Sequence, residues 1–279
     1  MIDGFDSDAF VRRVLDEDLG SGGDVTSDAT IDADARFSAE IGCREPIVLA
    51  GIDLAAAFFR ALDETVRIAM QVADGERVDA GGVVMTMSGL ARPMLAAERS
   101  ALNTLQHLSG IATLSRRYAD AISGTKAVLL DTRKTIPGLR ALEKYAARMG
   151  GAHNHRMRLD DGVLIKDNHV AVAGGVGAAV RSAKAANTGL QVQVEVDRLA
   201  QIEEALDAGA DRLLLDNMDV PTLRHAVALV AGRVPLEASG GVNLETIRGI
   251  AETGVDFISV GRITQSAPAV DIGMDYALE

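Results

Sequence analysis

Six short apolar runs recur through the C-terminal part of the chain, and most are separated by segments long enough for a helix. They lie at 127–131, 162–167, 192–196, 212–217, 235–241 and 257–261. Continuous runs rich in Val, Leu and Ile that alternate with helical segments are typical of a parallel sheet covered by helices. This alternation constrains the fold more than any other feature of the sequence.

Each run ends in a residue that can do chemistry or approach a phosphate. These residues are Asp131 followed by Arg133 and Lys134, then Lys166, Glu195, Asp216, Ser239 with Gly240 and Gly241, and Gly261. Positions 195, 216, 239 and 261 are 21, 23 and 22 residues apart, about one strand and one helix each. In a parallel barrel the carboxyl ends of all strands meet on one face, which carries the active site. We therefore expect these residues to converge.

The fold class predicted from these patterns is α/β. A full barrel usually takes about 250 residues, whereas about 140 lie between Lys126 and Gln265, so a shortened or open parallel α/β (TIM-like) barrel is expected at 113–265. A mixed α/β, sandwich-like domain is expected at 1–112. The segment 266–279 is expected to pack back on that N-terminal domain.

The N-terminal pattern predicts a helix over about 7–19 and strands near 36–42, 66–72 and 83–88. A long helix is expected to begin near Pro93, which suits a first helical turn, and to end near Tyr118.

Charge and composition exclude several classes of function. The 28 basic and 40 acidic side chains give a net charge of −12, which disfavours binding to nucleic acid or anionic membranes. The N-terminal stretch lacks the features of a signal peptide and no apolar run is long enough to span a membrane, so a cytoplasmic protein is expected. Residues 133–169 nevertheless hold eight basic and four acidic side chains, a local surplus that favours a small anionic ligand.

Taken singly, the candidate residues also have structural explanations. Arg133 and Lys134 could be solvated loop charges, and Lys166 could be a lysine that extends its charge to solvent from a sheet edge. Glu195 could pair with a barrel lysine, and Asp216 could cap the following helix. The spacing shows no Cys/His metal cluster, no P-loop and no dinucleotide-binding glycine motif.

Eight sequence blocks carry a family resemblance. They are EDLGSGGDVTS (17–27), ERSALNTLQHLSGIAT (98–113), DTRKTIPGLRALEKYA (131–146), GGAHNHRMRLDDGVLIKDNH (150–169), VEV (194–196), LLDNM (214–218), LEASGGV (236–242) and ISVG (258–261). In this order, over nearly the whole chain, they resemble the quinolinate phosphoribosyltransferases.

The resemblance implies an activity and its partners. Quinolinate and phosphoribosyl pyrophosphate, with Mg2+, would give nicotinate mononucleotide, pyrophosphate and carbon dioxide, a step of de novo NAD synthesis. No organic cofactor is implied. The resemblance also implies a homodimer in which Arg99 of one subunit reaches the site of the other.

The resemblance further implies roles for single residues. Quinolinate would be held by Arg133, His155 and Arg156, with Lys134 and Lys166 nearby, and the DTRKT block adds Thr132 to the substrate-binding set. Glu195 and Asp216 would handle the ribose hydroxyls and the metal-bound pyrophosphate, with Mg2+ held mainly by pyrophosphate and water. The catalytic set is Lys134, Lys166, Glu195 and Asp216, and the 5′-phosphate cradle is Ser239, Gly240, Gly241, Gly261 and Gln265.

Three positions depart from the family pattern. Gln265 stands where a histidine is frequent, so the phosphate contact there loses a potential charge. Arg158 replaces a small residue and either adds charge at the mouth of the barrel or sits on the surface. Ala152 replaces a glycine and is expected to be silent.

Three other functions stay open at the level of sequence. One is a related transferase, such as a nicotinate phosphoribosyltransferase or a molybdenum-associated transferase-like protein. Another is a lyase or aldolase that uses Lys166 as a Schiff-base amine. The third is a phosphosugar-binding protein without catalytic activity.

Overall fold

A computed structural model describes residues 4–277 and divides the chain into two compact units. The first unit comprises the chain up to Arg116, Pro137–Gly151 and the chain from Ser266 onward. The second unit comprises Arg117–Ile136 and Ala152–Gln265. The ranges 1–112, 113–265 and 266–279 remain a prediction about domains, and the compact units differ from them chiefly at residues 137–151.

The first unit is a mixed α/β structure around a four-stranded antiparallel sheet with strand order β12-β1-β5-β3. Its strands are β1 (Arg36–Cys43), β2 (Ile47–Val48), β3 (Arg67–Met70), β4 (Arg77–Val78), β5 (Val83–Leu90) and β12 (Ile272–Ala277). Its helices are α1 (Ser7–Leu19), α2 (Val25–Thr30), α3 (Ile52–Leu62), α5 (Arg140–Met149) and most of α4 (Ala91–Ala121).

Local sequence explains why several of these elements form. The Asp6 carboxylate accepts the Ala9 N–H at 2.9 Å and so caps α1, which buries Val11 and Leu15 about one helical turn apart. The predicted helix over 7–19 and the strands near 36–42, 66–72 and 83–88 are confirmed, and the strand near 66–72 is shorter than expected.

Tertiary contacts assign α5 to the first unit. The Tyr145 hydroxyl donates to Asp74 Oδ2 at 2.6 Å, and His107 Nε2 lies 3.0 Å from Oε1 of the fully buried Glu143. Nothing in the apolar pattern of residues 137–151 indicates these partners, because they are distant in sequence. The C-terminal β12 joins the same unit by antiparallel pairing with β1.

The second unit is a six-stranded parallel sheet, and the predicted fold class is confirmed. The strands are β6 (Val128–Leu130), β7 (Val163–Ile165), β8 (Val192–Val196), β9 (Arg212–Asp216), β10 (Leu236–Ser239) and β11 (Phe257–Ser259). The helices are α6 (Asp167–Ala173), α7 (Val176–Ala185), α8 (Ala200–Asp207), α9 (Val220–Val230), α10 (Ile247–Ala251) and α11 (Arg262–Gln265). Every strand falls within a predicted apolar run.

The strand order in this sheet is β6-β11-β10-β9-β8-β7, so β6 and β7 are its two end strands. Its central strands are almost fully buried, as expected for a sheet covered on both faces. This agrees with the expectation of fewer than eight strands or an open barrel. Among the helices of residues 4–277, none combines the length and the hydrophobicity needed to cross a bilayer.

Gly110 on α4 gives a test of the packing of the C-terminal segment within the first unit. A Cβ at Gly110 would lie 2.1 Å from the Pro268 carbonyl oxygen. We expect Gly110→Ala to lower the free energy of unfolding by about 2 kcal/mol or more, because backbone must move to relieve the overlap. Gly22→Ala is the matched control, since nothing lies within 4 Å of its Cβ position. Calorimetric melting should show a clear loss for the first variant only, and equal melting temperatures would contradict this packing.

Candidate active site

A cavity of about 940 Å³ lies in the second unit, lined largely by residues at or after the carboxyl ends of the strands. All of the predicted site residues in this unit line it. They are Thr132, Arg133, Lys134, His155, Arg156, Lys166, Glu195, Asp216, Ser239, Gly240, Gly241, Gly261 and Gln265. Arg99 belongs to the first unit, where it lies on α4 with an exposed side chain. Its role across a dimer stays a prediction.

Lys166 and Glu195 form an ion pair at the cavity. Lys166 follows β7, and its Nζ lies 2.8 Å from Glu195 Oε2 on the neighbouring β8. The Glu195 side chain is 11% exposed and that of Lys166 is 49% exposed. The Lys166 Nζ is thus engaged by a carboxylate and half exposed, whereas a Schiff-base lysine is typically activated in an apolar pocket or beside another cation, so the geometry does not favour that function.

Asp216 ends β9, and its carboxylate is oriented by the residue that follows. Burial, together with the nearby Glu195 carboxylate, raises the pKa of Asp216 above its ordinary value. The Asn217 side-chain amide donates to Asp216 Oδ2 at 2.6 Å, and Asn217 adopts a left-handed backbone with φ of 53°. Asp216 therefore lies beside a second carboxylate, in an arrangement suited to a cation or to sugar hydroxyls.

Gly240 makes room for this arrangement. It has a φ of 90°, and a Cβ there would lie 2.2 Å from the side-chain oxygen of Asn217. A glycine is thus required at 240 because of both backbone conformation and space. Gly241 also has a positive φ, of 62°.

Gly261 has a comparable relation to Lys134. A Cβ at Gly261 would lie 2.9 Å from Cδ of Lys134, so the glycine leaves space for the lysine stem. The Lys134 backbone is fixed at both ends, since its N–H donates to Thr132 Oγ1 at 3.0 Å and its carbonyl accepts from Thr264 Oγ1 at 2.8 Å. The loop that carries Lys134 is therefore tied to the segment after β11.

Two guanidinium groups lie close together in the same cavity. Burial, and then the positive charge of Arg133, lower the pKa of Arg156. Arg156 Nη1 also donates to the Gly162 carbonyl at 2.9 Å, which fixes its direction. Like charges held together in this way suit a ligand with two negative charges, since guanidinium groups bind carboxylates in pairs.

The structure locates all three positions that depart from the family pattern. Arg158 forms an exposed ion pair with Asp160 at 2.8 Å and does not line the cavity, so the surface explanation is correct for the described structure. Gln265 is exposed on α11 at the cavity, and its role toward phosphate stays a prediction. Ala152 is buried.

Several cavity residues were not selected from the sequence. Asn217, Glu237, Asn243 and Arg262 also line the cavity. The position of Asn217 directly after Asp216 was a usable signal, because Asn is among the few residues that tolerate a left-handed backbone. Glu237 lies inside an apolar run, and only the fold shows which side of the strand it occupies.

The acidic residues of the cavity suit one mode of Mg2+ binding, in which the protein supplies only one or two carboxylates. Glu195 and Asp216 lie on adjacent strands, but no group of three or more His, Cys, Asp or Glu residues suited to a metal occurs between residues 4 and 277. Mg2+ is commonly bound through one or two carboxylates together with water and substrate phosphates. The two carboxylates fit that mode and do not form an all-protein cage.

Comparison with known proteins adds a family match over most of the chain. Residues 24–109 match the quinolinate phosphoribosyl transferase N-terminal domain, and residues 111–275 match its C-terminal domain. The nicotinate-nucleotide pyrophosphorylase [carboxylating] of Mycobacterium leprae is 45% identical over 273 residues, covering 95% of each chain. The probable enzyme of the same name from Bacillus subtilis is 40% identical and covers 94% of this chain and 90% of its own.

Solved structures agree with these sequence matches. The nicotinate-nucleotide pyrophosphorylase structure from Francisella tularensis superposes with a TM-score of 0.94 at 40% identity, covering 99% of both chains. That from Ehrlichia chaffeensis has a TM-score of 0.94 at 38% identity and covers 98% of this chain and 100% of the other.

The raised pKa of Asp216 gives a prediction with a defined sign. A carboxyl group with a pKa raised on folding stabilises the fold when protonated, and this contribution is lost as pH rises through the folded pKa. Asp216→Asn cannot ionise, so we expect its melting temperature relative to the wild type to increase from pH 4 to pH 7. Calorimetry at both pH values, on the same buffers, measures this difference. A difference that is constant or falls with pH would show that Asp216 is not destabilised by ionisation.

Proposed function

Because the chain belongs to the quinolinate phosphoribosyltransferase family, we propose that it transfers the phosphoribosyl group of phosphoribosyl pyrophosphate to quinolinate. The products are nicotinate mononucleotide, pyrophosphate and carbon dioxide, as in de novo NAD synthesis. The observation that carries this proposal is the cavity itself, which holds the paired Arg133 and Arg156 together with the carboxylates Glu195 and Asp216. A dicarboxylate and a cationic sugar centre need opposite charges in one enclosed site.

The basic side chains bind and orient quinolinate. Arg133 and Arg156 receive its two carboxylates, with Lys166 nearby and Arg99 contributed by the second subunit. Fixing the dianion in this way raises the effective concentration of its ring nitrogen at the sugar. The hydrogen bond from Arg156 to the Gly162 carbonyl supports this role, because it limits the motion of the guanidinium.

The acidic side chains act on the ribose. Transfer develops positive charge at the anomeric carbon, and the carboxylates of Glu195 and Asp216 stabilise that charge and accept hydrogen bonds from the ribose hydroxyls. Lys134 neutralises the leaving pyrophosphate, and Ser239, Gly240, Gly241, Gly261 and Gln265 hold the 5′-phosphate. Glu195 or Asp216 would hold Mg2+ together with the pyrophosphate, and the bound ion would supply further charge neutralisation.

Decarboxylation follows from the same positioning. Alkylation makes the ring nitrogen cationic, so the ring can accept the electron pair left when the adjacent carboxylate departs as carbon dioxide. A proton then replaces the carboxylate on the ring carbon. The chain therefore needs only to hold the second carboxylate in place, and no organic cofactor is proposed.

We also propose a cytoplasmic homodimer. The parallel sheet ends at β6 and β7, and a groove beside β7 is lined mainly by apolar side chains. Leu159 and Val172 in this groove are 70% and 91% exposed. Exposed apolar patches of this kind are typical of protein interfaces, and a second copy of the chain would remove this surface from water.

Substrate choice is the direct test of the proposed reaction. With Mg2+ and phosphoribosyl pyrophosphate, we expect quinolinate to give pyrophosphate and carbon dioxide in equal amounts, while nicotinate gives neither. Chelation of Mg2+ should abolish both products, and Glu195→Gln should lower kcat by about a hundredfold. Conversion of nicotinate but not quinolinate would reject the proposal, and trapping of Lys166 by borohydride would support the lyase instead.

Subunit mixing tests whether the site is shared. Arg99→Ala and Lys134→Ala are each expected to be inactive alone. After subunit exchange, half of the dimers are hybrids with one intact site, so activity should return to about one quarter of the wild type. Mixing Lys134→Ala with Arg133→Ala is the control. Each subunit supplies both of these residues to its own site, so every site in a hybrid dimer keeps one defect. Absence of recovery in the first mixture would place Arg99 outside the site of the partner.

A further inference from the structure

Glu237 is a fully buried carboxylate at the cavity, and the proposed reaction assigns it no part. Three side chains approach its Oε2 atom. Gln193 Nε2 donates to it at 2.8 Å, Arg212 Nη2 lies 2.7 Å away, and His155 Nε2 lies 3.4 Å away. Burial of an ionised carboxylate costs free energy unless the carboxylate is paired, so the presence of Glu237 at this buried position calls for a structural or functional explanation.

Arg212 balances the charge of Glu237. Its guanidinium also stacks on the Phe257 ring, with the carbon at its centre 3.8 Å from the ring centroid. The two residues therefore form a nearly neutral buried pair. Removing one member alone would leave an uncompensated buried charge and would destabilise the fold.

The hydrogen bonds around His155 determine which of its ring nitrogens carries the proton. The backbone N–H of Arg156 donates to Nδ1 of His155 at 2.7 Å, so Nδ1 carries a lone pair and no proton. The single proton of the ring is then on Nε2, which faces Glu237. Both ring nitrogens are turned toward the protein, and the side chain is only 13% exposed.

His155 is joined to the basic end of the cavity through its neighbour. Its own N–H donates to Asp131 Oδ1 at 2.8 Å, and its ring fixes the backbone N–H of Arg156. The orientation of the imidazole thus helps to position the Arg156 backbone, from which the guanidinium-bearing side chain extends. At the opposite edge of the ring, Nε2 lies 3.4 Å from Oε2 of Glu237, so a buried carboxylate stands beside it.

We propose that Glu237 is a positioning residue, which holds His155 as the Nε2–H tautomer and thereby aligns Arg156 for the dicarboxylate. This inference rests on the proposed function. In this arrangement His155 acts on the substrate through Arg156 and not through a free ring nitrogen. The proposal therefore predicts an effect on binding of the dicarboxylate that binding of the phosphoribosyl group does not share.

Two double variants isolate the acceptor for His155. Arg212→Met with Glu237→Gln removes both buried charges but keeps a carbonyl oxygen for His155. Arg212→Met with Glu237→Leu removes the charges and the oxygen. Methionine retains contact with the Phe257 ring in both proteins.

We expect the leucine variant to show a quinolinate KM about tenfold above that of the glutamine variant, the scale of one lost hydrogen bond. The KM for phosphoribosyl pyrophosphate should agree within about twofold. A purely structural role would lower the active fraction, and hence kcat, without this selective change. Equal quinolinate KM values, or a parallel rise in both KM values, would overturn the proposal.

Side-chain 15N NMR gives a readout that does not depend on turnover. The wild type and the glutamine variant should carry the His155 proton on Nε2. The leucine variant should show a mixture of the two tautomers instead of this single one. The signal is assigned by its absence in His155→Asn. A proton on Nδ1 in the wild type would overturn the proposal even if quinolinate is the substrate. If the wild type fails to convert quinolinate, the proposed function fails, and the tautomer assignment is still tested by these spectra.

Discussion

Parallel pairing in one fixed register is the interaction on which the site depends. Ser239 on β10 pairs with Asp216 on β9, while Glu195 on β8 pairs with Leu214. Side chains alternate between the two faces of a strand, so a slip of one residue would turn these carboxylates away from the cavity. The buried apolar residues of each strand resist such a slip, because it would expose them to water. The hydrophobic core thus determines the geometry of the polar site.

The same cavity must hold charges of both signs without cancelling them. Lys166 and Glu195 are paired directly, whereas Arg133 and Arg156 are held close together as like charges. The repulsion between the arginines is a cost in the free protein that an anionic ligand removes. Local charge therefore matters more than the net charge of −12, which bears on nucleic acid and membranes but not on a small dicarboxylate.

A layer of contacts behind the cavity surface gives the site its precision. Gly240 admits the Asn217 amide that orients Asp216, and Gly261 leaves space for the stem of Lys134. These glycines have a steric reason for their presence, in addition to any contact with phosphate. Hydrogen bonds of this kind hold the polar side chains that line the cavity within the narrow range of positions that catalysis requires.

The sequence by itself determined the parallel sheet, the order of its strands along the chain and the polar residue at each strand end. It could do so because hydrophobic periodicity and strand spacing are local properties, and because the motif blocks resemble a known family. Tertiary structure alone decided that residues 137–151 join the first unit and that Arg158 faces solvent. It also decided that Glu237 faces His155 and Arg212. Those relations join residues distant in sequence, or depend on which way a side chain points, and so no local pattern carries them.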